Sequence, residues 1–130
     1  MLQLVNEGEL RVRPENLKSI TVCAKKFSKN PKVMLIELNN GEKKVIKVNS
    51  NIVMESFGSM YIKNKKIKIE TDINLDKVKQ VVIVRSRLMK KKLVEIIELT
   101  NGEVMVEALC KGIITERIDS EYIVAELTHN

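Results

Sequence analysis

The chain has no tryptophan, two phenylalanines, two tyrosines, one histidine and three aspartates in 130 residues. Phe27, Phe57, Tyr61 and Tyr122 are the whole aromatic supply, so the core must be aliphatic, and a surface of stacked rings has few residues to draw on. The single histidine, His129, stands next to the last residue. Without a second one, neither a Cys-His dyad nor a Ser-His-Asp triad can be assembled in the usual way. Asp72, Asp76 and Asp119 are scattered, no Cys and His stand at metal-ligand spacing, and no Gly-rich loop is present to cradle a phosphate. No cofactor, no metal and no enzymatic activity are expected.

The two cysteines, Cys23 and Cys110, sit inside apolar runs and read as buried reduced thiols, which suits a reducing cytoplasm. No apolar run approaches the roughly 20 residues that span a bilayer. Asn6, Glu7 and Glu9 stand where a signal peptide would be apolar. A cytoplasmic protein with no membrane association is the expectation.

With 44% hydrophobic and 31% charged residues, the chain has the composition of a folded domain. Its organising feature is a stretch written twice. Glu37-Leu38-Asn39-Asn40-Gly41-Glu42 returns as Glu98-Leu99-Thr100-Asn101-Gly102-Glu103. Asn-Gly between apolar, β-branched runs predicts a two-residue hairpin turn in which both residues take positive φ.

Sliding the chain by 61 residues aligns 12–67 with 73–128 without a gap, and 15 of those 56 pairs are identical. An internal duplication follows, with residues 1–66 as one copy and 67–130 as the other. Each copy reads as about five short strands. In the first these are Leu10 to Arg13, Leu17 to Ala24, Val33 to Leu38, Lys43 to Val48, and Asn51 to Phe57, which a Gly58-Ser59 turn joins to Met60 to Lys63. Ile52 to Phe57 and Ile113 to Ile118 also fit one or two helical turns.

The copies join through Lys65-Lys66-Ile67-Lys68-Ile69-Glu70, which alternates like a half-exposed strand and contains no linker residue. About 60 residues alone bury little apolar surface. The expected fold is therefore all-β, the two copies packed as one pseudo-symmetric barrel-like or sandwich-like domain. Val33 to Leu38 is apolar on both faces and should be covered on both, within the chain or at a subunit interface. Glu95 stands where the first copy has Met34, which predicts a face open to solvent.

The net charge of +6 favours a polyanionic partner, and its distribution sharpens the case. The loop after the second strand is basic in both copies: Lys25, Lys26, Lys29 and Lys32 in one, Arg85, Arg87, Lys90, Lys91 and Lys92 in the other. Lys63, Lys65, Lys66 and Lys68 bring the total in three segments to 13 of the 23 basic residues. Two such loops, presented symmetrically, suit the two phosphate tracts of a nucleic-acid duplex, with Arg85 and Arg87 able to make bidentate contacts. The alternative is that exposed loops collect lysine for solubility and edge protection. From Glu95 onward acidic residues dominate, giving a second surface that could meet a basic partner or another copy. Glu37 with Glu98, Glu42 with Glu103, and Glu55 with Glu116 recur in both copies, which points to a shared structural role such as a salt bridge to a hairpin lysine. Tyr61 and Tyr122 read as half-buried anchors of the last hairpin.

Ile73-Asn74-Leu75-Asp76-Lys77-Val78, followed by the basic loop and Glu98-Leu99-Thr100-Asn101-Gly102-Glu103-Val104, resembles the closing part of LytTR-type DNA-binding domains, an all-β family that reads DNA through loops. The resemblance covers about 30 residues, 73–104. Ile69-Glu70-Thr71-Asp72 stands where that family carries His-Arg-Ser-Tyr, and its Ser-Arg after the hairpin is missing. The resemblance implies DNA as the partner. The function expected is thus a non-enzymatic nucleic-acid-binding module using paired basic loops; a protein-interaction or assembly module, such as a small inhibitor or adaptor that meets an acidic protein surface or another copy, is the alternative.

Overall fold

Apolar side chains occupy both faces of the central strands, and the fold is arranged to cover both. The computed structural model describes residues 2–28 and 30–120, the side chain of Glu7 excepted. In chain order it contains β1 (Leu2–Asn6), β2 (Leu17–Lys25), β3 (Pro31–Leu38), β4 (Lys43–Lys47), β5 (Ile52–Gly58), α1 (Ser59–Lys63), β6 (Val78–Ser86), β7 (Lys92–Leu99), β8 (Val104–Ala108) and β9 (Ile113–Asp119). Short 3-10 turns at Pro14–Asn16 and Leu75–Lys77 lead into β2 and β6. The bounds of β2 to β5 recur 61 residues later as those of β6 to β9.

The strands form two open sheets, ordered β1-β4-β3-β2-β9 and β5-β6-β7-β8, not a closed barrel. Among the described residues only β1 on β4 is a parallel pair. Strands β2 to β4 make one meander and β6 to β8 another, but β5 crosses to pair with β6 and β9 crosses back to pair with β2. Both sheets therefore contain strands from 1–66 and from 67–130.

Burial follows the period of two. Val33, Leu35 and Val45 from the first sheet meet Val82, Val84, Val94 and Ile96 from the second in a shared inner core. On the outer face of the first sheet, Ile36, Leu38 and Ile46 are covered by Leu10, Val12 and Leu17. On the outer face of the second, Val81, Ile83 and Ile97 are covered by Ile62, Ile67, Ile69 and Ile73. Val33 to Leu38 is thus covered on both sides as its sequence requires, by its own chain. Each such Val or Ile, fully withdrawn from water, contributes about 1.5–3 kcal/mol.

Several local expectations are corrected. Leu10 to Arg13 is no strand; Leu10 and Val12 turn inward as a cover while Arg11 Nη1 donates to the carbonyls of Gly8 and Leu10. The 65–70 connector likewise alternates without joining a ladder. The strand expected over Met60 to Lys63 is the single helical turn α1, which buries Ile62 and leaves Met60 and Tyr61 exposed. Ile52 to Phe57 and Ile113 to Ile118, by contrast, are strands as expected and not the alternative helical turns, because long ladders to β6 and β2 outweigh any local helical preference.

The Asn-Gly turns differ in kind from the expected two-residue form. Gly41 and Gly102 have φ of 92° and 91°, whereas Asn40 and Asn101 are not among the residues at positive φ. Gly41 N–H donates to the Leu38 carbonyl, and Glu42 N–H donates to Asn40 Oδ1; Gly102 and Glu103 repeat both bonds. This is a type I turn closed by a left-handed glycine, in which the Asn side chain replaces a backbone acceptor.

Glu95 overturns the open face expected at its position. It is fully buried, and its carboxylate accepts from Glu70 N–H at 2.7 Å, Thr71 N–H at 2.9 Å and Thr71 Oγ1 at 2.6 Å. A buried carboxylate is tolerable only when so satisfied. Here it ties the connector onto the sheet it covers.

Candidate nucleic-acid interface

Two loops whose strands are antiparallel neighbours must emerge at the ends of their sheets, and the register fixes which end. Lys25 lies opposite Ile113, Ala24 opposite Pro31, and Val33 opposite Lys47, so the β2–β3 loop, the end of β4 and the start of β9 share one end of the first sheet. Ile52 lies opposite Ser86 and Arg85 opposite Lys92, so the β6–β7 loop and the start of β5 share one end of the second. The β4–β5 and β8–β9 connections join those ends, which puts both basic loops at one end of the sandwich.

Backbone bonds hold the loops there. Lys26 N–H donates to the Gly112 carbonyl, and Arg87 N–H donates to the Asn51 carbonyl at the equivalent position. The β2–β3 loop is thus fastened to the β8–β9 connection, and the β6–β7 loop to the β4–β5 connection. Phe27 and Lys90 take positive φ, 68° and 54°, as the chain reverses direction.

Segments 25–28, 30–32, 48–53, 85–93 and 109–113 meet at this end, and their sequence holds nine Lys and Arg and no Asp or Glu. Between them lies a cleft of about 390 Å³ rimmed by Lys25, Lys32 and Lys91. Lys25, Lys26, Arg87, Lys90 and Lys91 are exposed; Lys32 is half-buried. Two cations are already partnered: Arg85 Nε lies 3.4 Å from Glu55 Oε1, and Lys92 Nζ donates to the Lys68 carbonyl at 2.7 Å and lies 3.4 Å from Glu70 Oε1. Arg87 Nε donates to the Ser50 carbonyl at 3.0 Å, which ties an exposed guanidinium to the β4–β5 connection.

The sequence-selected cations therefore divide. Lys25, Lys26, Lys32, Arg87, Lys90 and Lys91 gather at one end, with Arg85 and Lys92 beside them in ion pairs. Lys65 and Lys66 follow α1 at the other end, beyond the Gly58–Gln80 pair, with Lys66 Nζ 6.0 Å from the Tyr61 ring centre. Lys29, Tyr122 and His129 lie outside the described residues. Lys111 belongs to the basic end but escapes the repeat, which aligns it with Ser50.

The recurring glutamates have structural surroundings. Glu37 accepts from Ser19 Oγ at 3.1 Å and lies 3.7 Å from Arg117 of β9, and Glu98 is buried. Glu37 is thus paired across the sheet, not with a hairpin lysine. With Glu95 and Glu98 inside, the acidic surface expected beyond residue 95 is reduced to Glu103, Glu107, Glu116 and Asp119 among the described residues. No three His, Cys, Asp or Glu side chains gather among the described residues where they could hold a metal ion. No described helix is long and apolar enough to cross a membrane. Burial pushes the Cys23 thiol up to about 12, whereas Cys110 is half-buried on the cleft wall.

No protein-family model matches the chain, and no curated protein or solved structure matches it. The likeness of residues 73–104 to LytTR-type domains therefore stays local.

Proposed function

We propose that the protein is a single pseudo-two-fold β domain acting as a non-enzymatic nucleic-acid-binding module, and that it grips duplex DNA with the β2–β3 and β6–β7 loops. The observation that carries this reading is the convergence of nine Lys and Arg among the described residues, with no Asp or Glu, on the segments at one end. Such a field attracts phosphate and releases counterions on contact. Rigid backbone tethers on both loops support it further, because a pre-ordered basic loop loses less entropy on binding.

With six exposed cations at that end among the described residues, the logarithm of affinity should fall against that of salt with a slope of about −5. Fluorescence anisotropy on a labelled duplex across a salt series measures it. Replacing Lys26, Arg87 and Lys90 together by Glu should weaken binding about 100-fold or more and flatten the slope. Salt-independent binding, or binding that survives that charge reversal, overturns the reading.

A second reading, an assembly module, is favoured by one feature. In the first sheet β1 covers the edge of β4, whereas among the described residues β8 pairs only with β7. Such an edge can accept a strand from another chain. Light scattering that finds a strict monomer at high concentration counts against it.

A further inference from the structure

The basic end carries more than charge. Phe27 is 96% exposed, and Leu88 and Met89 are 87% and 76% exposed. Leu88 and Met89 form one lip of the cleft, and its inner wall is Leu93, Ile113 and Cys110, at the margin of the inter-sheet core. A phosphate backbone uses the lysines and leaves these apolar groups in water. Exposed apolar surface of this kind, beside an open cleft with an apolar wall, marks a ligand site. The volume of about 390 Å³ falls within the range of about 300–1,000 Å³ typical of small-molecule sites. Its rim supplies Lys25, Lys32 and Lys91, and no acidic side chain lines it.

We infer that this cleft is a binding site for a single-chain anionic amphiphile. The apolar tail lies along Leu88, Met89, Leu93 and Ile113, and the carboxylate or phosphate head meets the three lysines. Both halves of the ligand then find a complement that neither a simple anion nor an uncharged hydrocarbon could fill alone. The site is independent of the nucleic-acid reading, although an occupant would neutralise lysines that a duplex needs.

Cys110 supplies a readout on the cleft wall. Its Sγ lies 3.2 Å from the Lys92 carbonyl and is half-buried, whereas Cys23 is 2% exposed and stays protonated and silent at neutral pH. The folded protein is treated with an alkylating reagent, and the rate at Cys110 is followed by mass spectrometry with dodecanoate held below its micelle concentration. Dodecanoate should slow Cys110 at least tenfold, and butanoate should not. Met89→Asp, at a position exposed enough to leave the fold intact, should weaken the protection about tenfold, and Lys91→Glu should do likewise through the head.

Absence of protection, equal protection by butanoate, or protection undiminished in both variants overturns the proposal. So does protection by phosphatidylglycerol vesicles without protection by dodecanoate, which would make the feature a membrane-docking surface. Protection by dodecanoate in a protein that binds no duplex supports this proposal and overturns the nucleic-acid reading, so the two fail separately.

Discussion

Replacing Glu95 by Met would install in the second half the residue that already stands at the equivalent position, 34, in the first. If burial of apolar surface alone governed that position, the substitution would stabilise the protein, since a buried Met side chain is worth about 1.5–3 kcal/mol. The geometry predicts the opposite. The carboxylate accepts two backbone N–H groups and one hydroxyl from Glu70 and Thr71. Hydrogen bonds to a charged partner are worth about 1.5–3 kcal/mol each, and an amide left unsatisfied away from water costs about 1–3 kcal/mol. Both stranded amides lie in the segment carrying Ile67, Ile69 and Ile73 onto the outer core, so the loss extends to the cover itself. The losses outweigh the gain, and Glu95→Met should cost about 3 kcal/mol or more. That is a large share of the 5–15 kcal/mol typical of a domain this size. Urea unfolding followed by circular dichroism measures it as a fall in midpoint. Thr71→Val should cost less, and the double variant less than the sum, because both singles break the same cluster. A Glu95→Met protein as stable as the parent, or more stable, would refute the argument.

Three further outcomes are expected. Gly41→Ala and Gly102→Ala should each destabilise by about 1–2 kcal/mol through φ alone, since an added Cβ meets nothing within 4 Å at either position; thermal melts of both variants check this. Cys23 keeps its proton in the fold up to about 12 while the unfolded thiol ionises near its ordinary 9.0. Its contribution is thus complete below pH 9 and is lost on raising the pH through that interval, at about 1.4 kcal/mol per unit, and Cys23→Val should remove that slope from alkaline urea titrations. Gln80 bridges the sheets, accepting from Leu2 N–H and donating to the Leu2 carbonyl and to Ser56 Oγ. Gln80→Leu should therefore cost about 2 kcal/mol and raise hydrogen exchange in β1 before the rest of the first sheet.

Much of the strand content could be read from the chain because it rests on local chemistry. Ile20-Thr21-Val22 and Val33 to Leu38 favour extended backbone wherever they sit, and apolar groups on both faces of the latter demand two covers. The Asn-Gly pairs located the hairpins correctly but misstated the turn, because Asn40 Oδ1 can accept the Glu42 amide from a negative φ and so leaves the strained conformation to Gly41. The basic loops were legible by composition and spacing; their meeting at one end was not.

That meeting depends on which sheet each strand joins, and strand propensity carries no record of its partner. Only the tertiary structure sends β5 to β6 and β9 to β2, and this exchange brings Gly112 to Lys26 and Asn51 to Arg87. The same holds for Glu95, whose charge reads as solvent exposure until Glu70 and Thr71, 25 and 24 residues away, turn their amides toward it. Local side-chain chemistry set the period of each segment. Long-range pairing decided which end became basic, which carboxylate was buried and where the cleft opened, because those outcomes are fixed by contacts between residues far apart in the chain.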